Sequence, residues 1–178
     1  EYPCVPVLAD MECNGIAVNV SQFATFADEI AEQLKTIDAF VQSEMGRPVN
    51  LKSPKQVATM LYQDRGLTPS KKTKSGGSTE STSLQVLMET SDDPLIPKIL
   101  EYREIHKIKS TYLESLPAFV QSDGRIHTHF QQTVTATGRL SSIEPNLQNI
   151  PVRTSWGKVI RSCFVADEGK VLLSADYS

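Results

Sequence analysis

The sequence has little cysteine and no long apolar run. Its three cysteines, Cys4, Cys13 and Cys163, are widely spaced and form no C-x-x-C pair. Such a set excludes a disulfide framework and indicates no zinc site, so we expect a reducing, cytoplasmic setting. No segment approaches the roughly 18 consecutive apolar residues of a membrane span, and the first residues lack the basic-then-apolar order of a signal peptide. We therefore expect no membrane partner.

Common nucleotide-binding and hydrolase motifs are also missing. The sequence contains no G-x-x-x-x-G-K-[ST], G-x-S-x-G or G-x-G-x-x-G, which removes the P-loop, hydrolase-elbow and dinucleotide interpretations. His127 and His129 fall on the same face of a predicted strand, but no third ligand lies at a useful spacing, so a surface strand is favoured over a metal site there. The net charge of -3 over 178 residues gives no global sign of an anionic partner.

What the chain does contain is strong helical periodicity. Apolar residues recur at spacings of three and four from Phe23 to Val41 and again from Leu95 to Tyr112, which predicts two long amphipathic helices. Between them, Ser53 and Pro54 are typical of a helix start, with Gln56 closing a capping box. The helical part of the chain is thus expected at residues 21–116.

A polar, basic segment interrupts this helical part. Residues 68–83 carry three lysines, Lys71, Lys72 and Lys74, and almost no apolar side chains. This composition predicts an exposed, mobile loop, followed by a short helix capped by Thr82. A solvated surface is the ordinary explanation of such a charge cluster, and contact with an anionic polymer is the alternative.

The hydrophobic period changes from helical to alternating after Pro117. Ile126, Thr128 and Phe130 alternate with polar residues, and the runs CFVA and KVLLSAD flank a turn at residues 167–169, so both runs are predicted strands. A short helix before Gly15 and a strand over IAVNV complete the pattern. We therefore predict an α+β fold in which a sheet is formed by residues 1–20 and 117–178 and the helical unit, 21–116, is inserted between them.

Residues 133–153 are unusually dense in hydrogen-bonding side chains for their length. Arginine, asparagine and glutamine donate to phosphates and to base-edge acceptors, and the minor groove presents such acceptors at every base pair. A surface of this kind would test pairing geometry without reading sequence. The alternative is a polar loop that uses Asn and Ser for turns, which Gly138 and Pro145 support.

Asp176 follows the apolar run KVLLSA at the carboxyl end of a predicted strand, where sheet enzymes often place catalytic groups. Two-metal chemistry needs a second carboxylate nearby, and none is evident, since Asp167 and Glu168 belong to the preceding turn. On the residues alone, a strand-end aspartate that caps or faces solvent is the simpler interpretation.

Two stretches resemble a known family. TATGRLSSIEPNLQNIPVRT at 135–154 and IRSCFVADEGKVLLSADYS at 160–178 closely resemble the palm of family A DNA polymerases, of the bacterial DNA polymerase I type. PVLADMECNGIAVNV, NLKSPKQ, the basic loop and ILEYREIHKIKSTY are similar to the first palm segment and the thumb of that family, in the family's order. The resemblance implies a helical thumb subdomain inserted into the start of an antiparallel palm sheet, with tip loop 68–83 and a palm segment at 117–178.

The same resemblance implies site residues and partners. Asp176 would be one of two aspartates that hold two catalytic Mg²⁺ ions, Tyr177 would offer its backbone carbonyl to one ion, and Arg139 would reach the minor groove at the primer terminus. Primer-template DNA and deoxynucleoside triphosphates would be the partners, and we expect a monomer. The further residues implied to contact DNA are Asn50, Ser53, Lys71, Lys72, Lys74, Ser81, Thr82, Arg103, Lys107, Thr135, Thr137, Asn146, Gln148, Asn149 and Arg153.

Two functions remain open on this basis. In the family, the pattern continues past the motif DYS into segments that grip the triphosphate and supply the second metal aspartate, and these segments do not occur among the 178 residues. We therefore expect a fragment of a DNA-directed DNA polymerase that is inactive alone and holds the primer-template duplex. The alternative is an isolated duplex DNA-binding module.

Overall fold

A computed structural model describes residues 2–69, 72–73, 76–152 and 154–175, with only the backbone of 72–73 and 76–77. The chain divides into two compact units, Glu29–Lys107 and the combination of Glu1–Asp28 with Ile108–Ser178. Helices and small antiparallel sheets both occur, which confirms the predicted α+β class. Across the described residues, no helix is long and apolar enough to cross a membrane.

The unit Glu29–Lys107 is built from helices. It contains most of α2 (Val20–Met45), then α3 (Pro54–Ala58), a π-helical segment (Thr59–Asp64), α4 (Ser81–Thr90) and nearly all of α5 (Leu95–Ile108). The predicted stripes form its core: the buried apolar side chains on α2 and α5 follow the spacing of three and four. These core residues are Ile30, Leu34, Ile37 and Val41 on α2 and Leu95, Ile96, Ile99, Tyr102 and Ile105 on α5.

The starts of α3 and α5 show why the chain turns helical there. Ser53 is the N-cap of α3, and its hydroxyl accepts a hydrogen bond from the Gln56 backbone N–H at 3.4 Å. The Gln56 side chain reaches past Ser53 and accepts from the Asn50 backbone N–H at 2.9 Å, so the capping box is wider than predicted. Before α5, Asp93 accepts from the Leu95 backbone N–H at 2.9 Å.

The segment 68–83 is more ordered than predicted. Residues Lys72–Thr73 (β2) and Gly76–Gly77 (β3) pair as a short antiparallel hairpin, and Ser78, Thr79 and Ser83 are buried. The prediction of an exposed loop is therefore wrong at residues 78, 79 and 83. The Ser78 and Thr79 carbonyls can be buried because Tyr62 and Arg103, distant in sequence, donate to them, and the Ser83 hydroxyl donates to the Ser78 hydroxyl at 3.0 Å. Helix α4 begins at Ser81 with Glu80 as its N-cap, so Thr82 lies within the first turn and does not cap it.

The other unit combines short helices with two small sheets. After α1 (Val5–Asn14), strand β1 (Ile16–Ala17) pairs with β4 (Arg125–Ile126), placing Ile16 opposite Ile126. Strand β5 (His129–Gln131) pairs with β6 (Ser141–Ile143), placing Phe130 opposite Ser142. A π-helical segment (Lys109–Leu113) and a 3-10 turn (Leu116–Phe119) precede β4. The early and late parts of the chain thus pair as predicted through β1 and β4, whereas β5 and β6 both belong to the late part.

Residues 155–175 differ from the predicted strands. The run CFVA forms no strand and contributes only an isolated antiparallel bridge between Phe164 and Val18. Residues 155–162 form helix α6 (Ser155–Ser162), whose N-cap Thr154 accepts a hydrogen bond from the Gly157 backbone N–H at 3.0 Å. The predicted strand KVLLSAD is absent over its described part, 170–175: Val171, Leu172 and Leu173 are exposed and have no regular structure. An apolar run becomes a strand only where another strand satisfies its backbone groups, and none pairs with it here.

Candidate nucleic-acid interface

The predicted contact residues of the polar tract lie around a tight turn. The Thr135 hydroxyl donates to the Arg139 backbone carbonyl, and the Gly138 N–H donates to the Thr135 carbonyl at 3.3 Å. Gly138 has φ 73°, a conformation that glycine adopts without strain. The turn uses the Arg139 backbone, while the Arg139 and Thr137 side chains are exposed to solvent. An exposed guanidinium on a fixed turn can donate to phosphate or base-edge acceptors.

Two carboxamides beyond the turn are held in defined orientations. The Gln148 Oε1 atom accepts from the Ser142 backbone N–H at 3.1 Å, and the Asn146 Oδ1 atom accepts from the Gln148 backbone N–H at 3.0 Å. Because a backbone N–H can only donate, each amide must direct its oxygen inward. Both residues are exposed, so their NH₂ groups are the hydrogen-bonding atoms left for an outside partner.

The loop that carries these amides is held in place by hydrogen bonds from two hydroxyl groups. The hydroxyl of buried Thr128 lies 3.0 Å from the Ile143 carbonyl and 2.7 Å from the Pro145 carbonyl, on either side of the cis Glu144–Pro145 bond. The Tyr112 hydroxyl donates to the carbonyl of Asn149, whose side chain is exposed. Burial raises the pKa of Tyr112, which keeps this hydroxyl protonated as a donor.

A second set of predicted contact residues lies in the helical unit. A groove of about 810 Å³ runs between the start of α3, residues 78–80 and the later turns of α5. It is lined by two predicted residues, Ser53 and Arg103, and by three lysine or histidine side chains for which the sequence predicted no contact, Lys52, Lys55 and His106. Glu80 is the acidic side chain among the lining residues. The lysines flank Ser53 within the motif NLKSPK, which was the available signal for them. Positive groups around a hydroxyl suit a phosphate backbone.

Arg103 has a structural contact within this groove. Its Nη1 atom donates to the Thr79 carbonyl, and the Tyr62 hydroxyl donates to the adjacent Ser78 carbonyl. Burial lowers the pKa of Arg103 and raises that of Tyr62. Since an arginine stays protonated even so, Arg103 holds the Thr79 carbonyl with one N–H group, and its guanidinium carries further N–H donors that a ligand can use.

The remaining predicted residues are distributed as follows. Asn50 is exposed and its Oδ1 atom accepts from the Lys52 backbone N–H at 3.0 Å, while Ser81 and Thr82 at the start of α4 and Lys107 near the end of α5 are exposed. Outside the described residues lie Lys71, Lys74, Arg153, Asp176 and Tyr177, together with the side chain of Lys72. In the described ranges, no group of three or more His, Cys, Asp or Glu side chains is placed to hold a metal.

The two histidines of the predicted strand each form a hydrogen bond with a carboxylate. His127 Nδ1 lies 2.7 Å from the Glu12 carbonyl and Nε2 lies 2.9 Å from Asp123 Oδ2. Both partners are acceptors, so the ring satisfies both as an imidazolium. The Glu12 carbonyl, and after it the Asp123 carboxylate, raise the pKa of His127. His129 Nδ1 lies 3.3 Å from a Glu12 carboxylate oxygen, and this second ring also ties β5 to α1.

Arg125 makes a further polar anchor that the sequence did not reveal. Its Nη1 atom lies 2.6 Å from Asp167 Oδ1, and its Nε atom donates to the Asn14 carbonyl at 2.6 Å. Lys170 contacts the other Asp167 oxygen at 2.9 Å. The bonds from Lys170 and Arg125 lower the pKa of Asp167, as expected for a carboxylate paired with two cations. Asp167 thus serves the turn, as predicted.

Comparison with known proteins decides the family. The family model described as DNA polymerase family A matches residues 20–178. The chain belongs to this family. It is 45% identical over 181 residues to the thermostable DNA polymerase I of Thermus aquaticus, which covers all of this chain and 22% of that protein. A DNA polymerase I of a Synechocystis species is 44% identical over 181 residues, covering all of this chain and 18% of that protein.

A solved structure gives the same result for the family A fold. The POL domain of Pol1 from M. smegmatis, in complex with DNA primer-template and dNTP, superposes with a TM-score of 0.85 at 43% identity. The match covers 94% of this chain and 30% of that one. The resemblance inferred from TATGRLSS and its neighbours is therefore confirmed. The chain spans about a fifth of the length of the curated relatives named above.

Proposed function

We propose that this chain holds a primer-template duplex for DNA-directed DNA synthesis, the transfer of a nucleotidyl group from a deoxynucleoside triphosphate to a primer 3′-hydroxyl. The observation that carries the proposal is the orientation of Asn146 and Gln148, whose oxygens are engaged inside the protein and whose NH₂ groups are left for a partner. The minor groove offers acceptors at the same place in every base pair, so outward donors suit a surface that holds any sequence.

Family membership directs this proposal towards a polymerase. We assign residues 21–116 to the thumb and residues 1–20 and 117–178 to the palm. In this assignment Arg139, Thr135, Thr137, Asn149 and Arg153 accompany the two amides along the primer and template. The thumb would contact the duplex backbone through its groove, its exposed polar residues and the basic tip loop. These thumb residues are Asn50, Ser53, Lys71, Lys72, Lys74, Ser81, Thr82, Arg103 and Lys107.

Asp176 is proposed as one metal-binding carboxylate of the synthetic site. A carboxylate and the Tyr177 backbone carbonyl are hard oxygen ligands of the kind that Mg²⁺ takes, which is the chemical basis of the assignment. When bound, Mg²⁺ would stabilise charge on the attacking and leaving oxygens. Replacing Mg²⁺ by Mn²⁺ provides a test, because paramagnetic broadening of the NMR signals of residues 173–175 should disappear in Asp176→Asn. Unchanged broadening in that variant would refute the assignment.

Duplex binding is measured by fluorescence anisotropy of a labelled primer-template. The logarithm of the affinity should fall linearly with the logarithm of the salt concentration, with a slope of about -0.9 per phosphate neutralised. An Arg139→Ala variant should lose more affinity for a matched primer end than for a mismatched one, since the acceptors are in register only in a correct pair. No binding at low salt, or equal losses on both ends, would refute the proposal.

A base analogue tests the outward donors directly. Replacing the minor-groove N3 atom of a purine near the primer end by C–H removes one acceptor and leaves the major groove unchanged. We expect weaker binding of the wild-type chain to this duplex, and a smaller loss for Gln148→Ala, which has no amide to lose a partner. Equal losses for the two proteins would show that Gln148 does not donate there.

The second candidate is a duplex-binding module with no synthetic activity of its own. It is favoured by the kind of groups that the structure describes at the interface, which are N–H donors, hydroxyls and cations. A primer-extension assay with the 178-residue chain tests the absence of synthetic activity, which both candidates predict for this chain alone. We expect binding without extension, and measurable extension would overturn that expectation.

A further inference from the structure

The buried serine of β6 connects the two amides of the proposed interface. Ser142 is fully buried, at 0% exposure, and lies opposite Phe130 in the β5–β6 pair. Its backbone N–H donates to Gln148 Oε1 at 3.1 Å, and its hydroxyl donates to Asn146 Oδ1 at 3.3 Å. The same hydroxyl accepts from the Leu147 backbone N–H at 3.1 Å. Ser142 therefore forms hydrogen bonds to residues 146–148 through both its main chain and its side chain.

These bonds determine which end of each amide faces outward. A carboxamide can rotate by half a turn and exchange its donor and acceptor ends at little steric cost. The Ser142 N–H prevents this for Gln148, because only an oxygen can accept from it. At Asn146, the Gln148 backbone N–H sets the direction of the amide, because it can only donate to Oδ1, and the Ser142 hydroxyl adds a second hydrogen bond that holds the same oxygen.

We infer that Ser142 is a positioning residue that fixes the Asn146 and Gln148 carboxamides with their NH₂ groups outward, ready for minor-groove acceptors. The part of this inference that concerns DNA rests on the proposed function. Ser142 does not contact the duplex itself, since it is buried. Its contribution to binding is the orientation of two donors before the duplex binds. Because these side chains are already ordered in the free protein, binding does not have to immobilise them, which lowers its entropic cost.

The bonds from Ser142 to the two amides can be separated by one substitution. Ser142→Ala removes the hydroxyl, with its bonds to Asn146 and to the Leu147 N–H, and keeps the backbone N–H. It should therefore loosen Asn146, which retains only the bond from the Gln148 N–H, and leave Gln148 held. Side-chain ¹⁵N relaxation of the two NH₂ groups measures this difference in the free protein. We expect a lower order parameter for Asn146 and an unchanged one for Gln148. Ser141→Ala is the matched control, because it makes the same chemical change at the adjacent strand position and should alter neither amide.

The relaxation experiment decides the inference without DNA. An Asn146 amide that stays as ordered as in the wild type would overturn it. Equal loosening of Asn146 and Gln148, with a lower melting temperature, would also overturn it, because that pattern is general destabilisation of the strand. These outcomes hold even if the chain fails to bind DNA, which would refute the proposed function alone.

Binding to a primer-template tests the consequence. Ser142→Ala loses a hydrogen bond that orients Asn146 before DNA binds. If the loss is as large as the net contribution of one hydrogen bond, the variant should bind the primer-template about threefold to tenfold more weakly than the wild type. In an Asn146→Ala background the same substitution should have no further effect, because the side chain that it positions is gone. Full additivity of the two losses would show that Ser142 acts on binding by another route and would overturn the inference.

Discussion

Replacing Gly15 with alanine should destabilise the unit that contains β1 and β4 more than any ordinary surface glycine would. Gly15 joins α1 to β1 with φ 55° and ψ -164°, a conformation that is essentially restricted to glycine. A Cβ atom there would lie 2.7 Å from the Ile126 carbonyl oxygen and 2.8 Å from the His127 ring. The backbone and the doubly hydrogen-bonded ring leave the methyl group little room to be accommodated.

The magnitude follows from two separate contributions. Holding alanine in this conformation costs about 1–3 kcal/mol of backbone strain. The contacts with Ile126 and His127 require a local shift that costs about 1–3 kcal/mol more. Gly124 is the matched control, because it has φ 77° in the same unit but nothing lies within 4 Å of its Cβ position. Gly124→Ala should therefore show the cost of a positive φ without the contacts.

Urea unfolding followed by Trp156 fluorescence measures both variants. Trp156 is the only tryptophan of the sequence and lies on α6, so its signal reports the unit that holds both glycines. We expect Gly15→Ala to lower the free energy of unfolding by about 1–3 kcal/mol more than Gly124→Ala does. Equal effects of the two substitutions would refute the argument that close approach to Ile126 and His127 determines the residue at position 15.

Three further outcomes are expected. First, the pKa of His127 is raised in the folded chain, so its protonation should stabilise the fold fully below a pH of about 6.5 and lose this effect as the pH rises through the folded pKa. The urea midpoints of the wild type and of His127→Gln should therefore converge at alkaline pH. A constant difference between the two midpoints at all pH values would contradict this. Second, burial raises the pKa of Cys163 to about 11, so a thiol reagent at neutral pH should modify Cys4 and Cys13 in the native chain and Cys163 only after denaturation. Fast reaction of all three thiols in the native chain would contradict this expectation. Third, Tyr62→Phe removes the hydrogen bond to the Ser78 carbonyl, so the backbone amides of residues 78–80 should exchange hydrogen faster than in the wild type. Mass spectrometry measures the exchange, and the amides of α2 should not change. Unchanged exchange at residues 78–80 would show that this bond does not stabilise the segment.

The long helices could be predicted because their information is local. The apolar stripes of α2 and α5 repeat over several turns, and their members are the buried core of the helical unit. The starts of α3 and α5 also have local signals, since Ser53 and Asp93 accept hydrogen bonds from nearby backbone N–H groups through their own side chains. Helix α6 was missed although Thr154 offered a cap and Trp156, Val159 and Ile160 offered a stripe, because a helix of two turns gives few repeats.

The errors arose where long-range partners decide the structure. Residues 78–79 look like a solvated loop in sequence, and they are buried because Tyr62 and Arg103 satisfy their carbonyls from 16 and 24 residues away. The run at 170–175 looks like a strand, and it has no regular structure because a strand needs a neighbour that no local pattern can supply.

The candidate interface was predictable in composition but not in orientation. Asn146 and Gln148 were evident as polar residues, and the family resemblance gave them a role. Which end of each amide faces outward depends on the backbone N–H groups of Ser142 and Gln148, and the sequence alone does not specify that geometry.

The π-helical segment Thr59–Asp64 has a consequence for changes in chain length. Its wider turn is closed by the Arg65 N–H on the Met60 carbonyl at 3.1 Å, so it carries one residue more than an α-helical turn. Removing one residue from this segment would restore α-helical turns and leave the side chains that follow close to their present orientation, because the residue removed is the one that the wider turn accommodates. The same deletion inside α2 would rotate every later side chain of that helix by about 100° and move its apolar stripe out of the core.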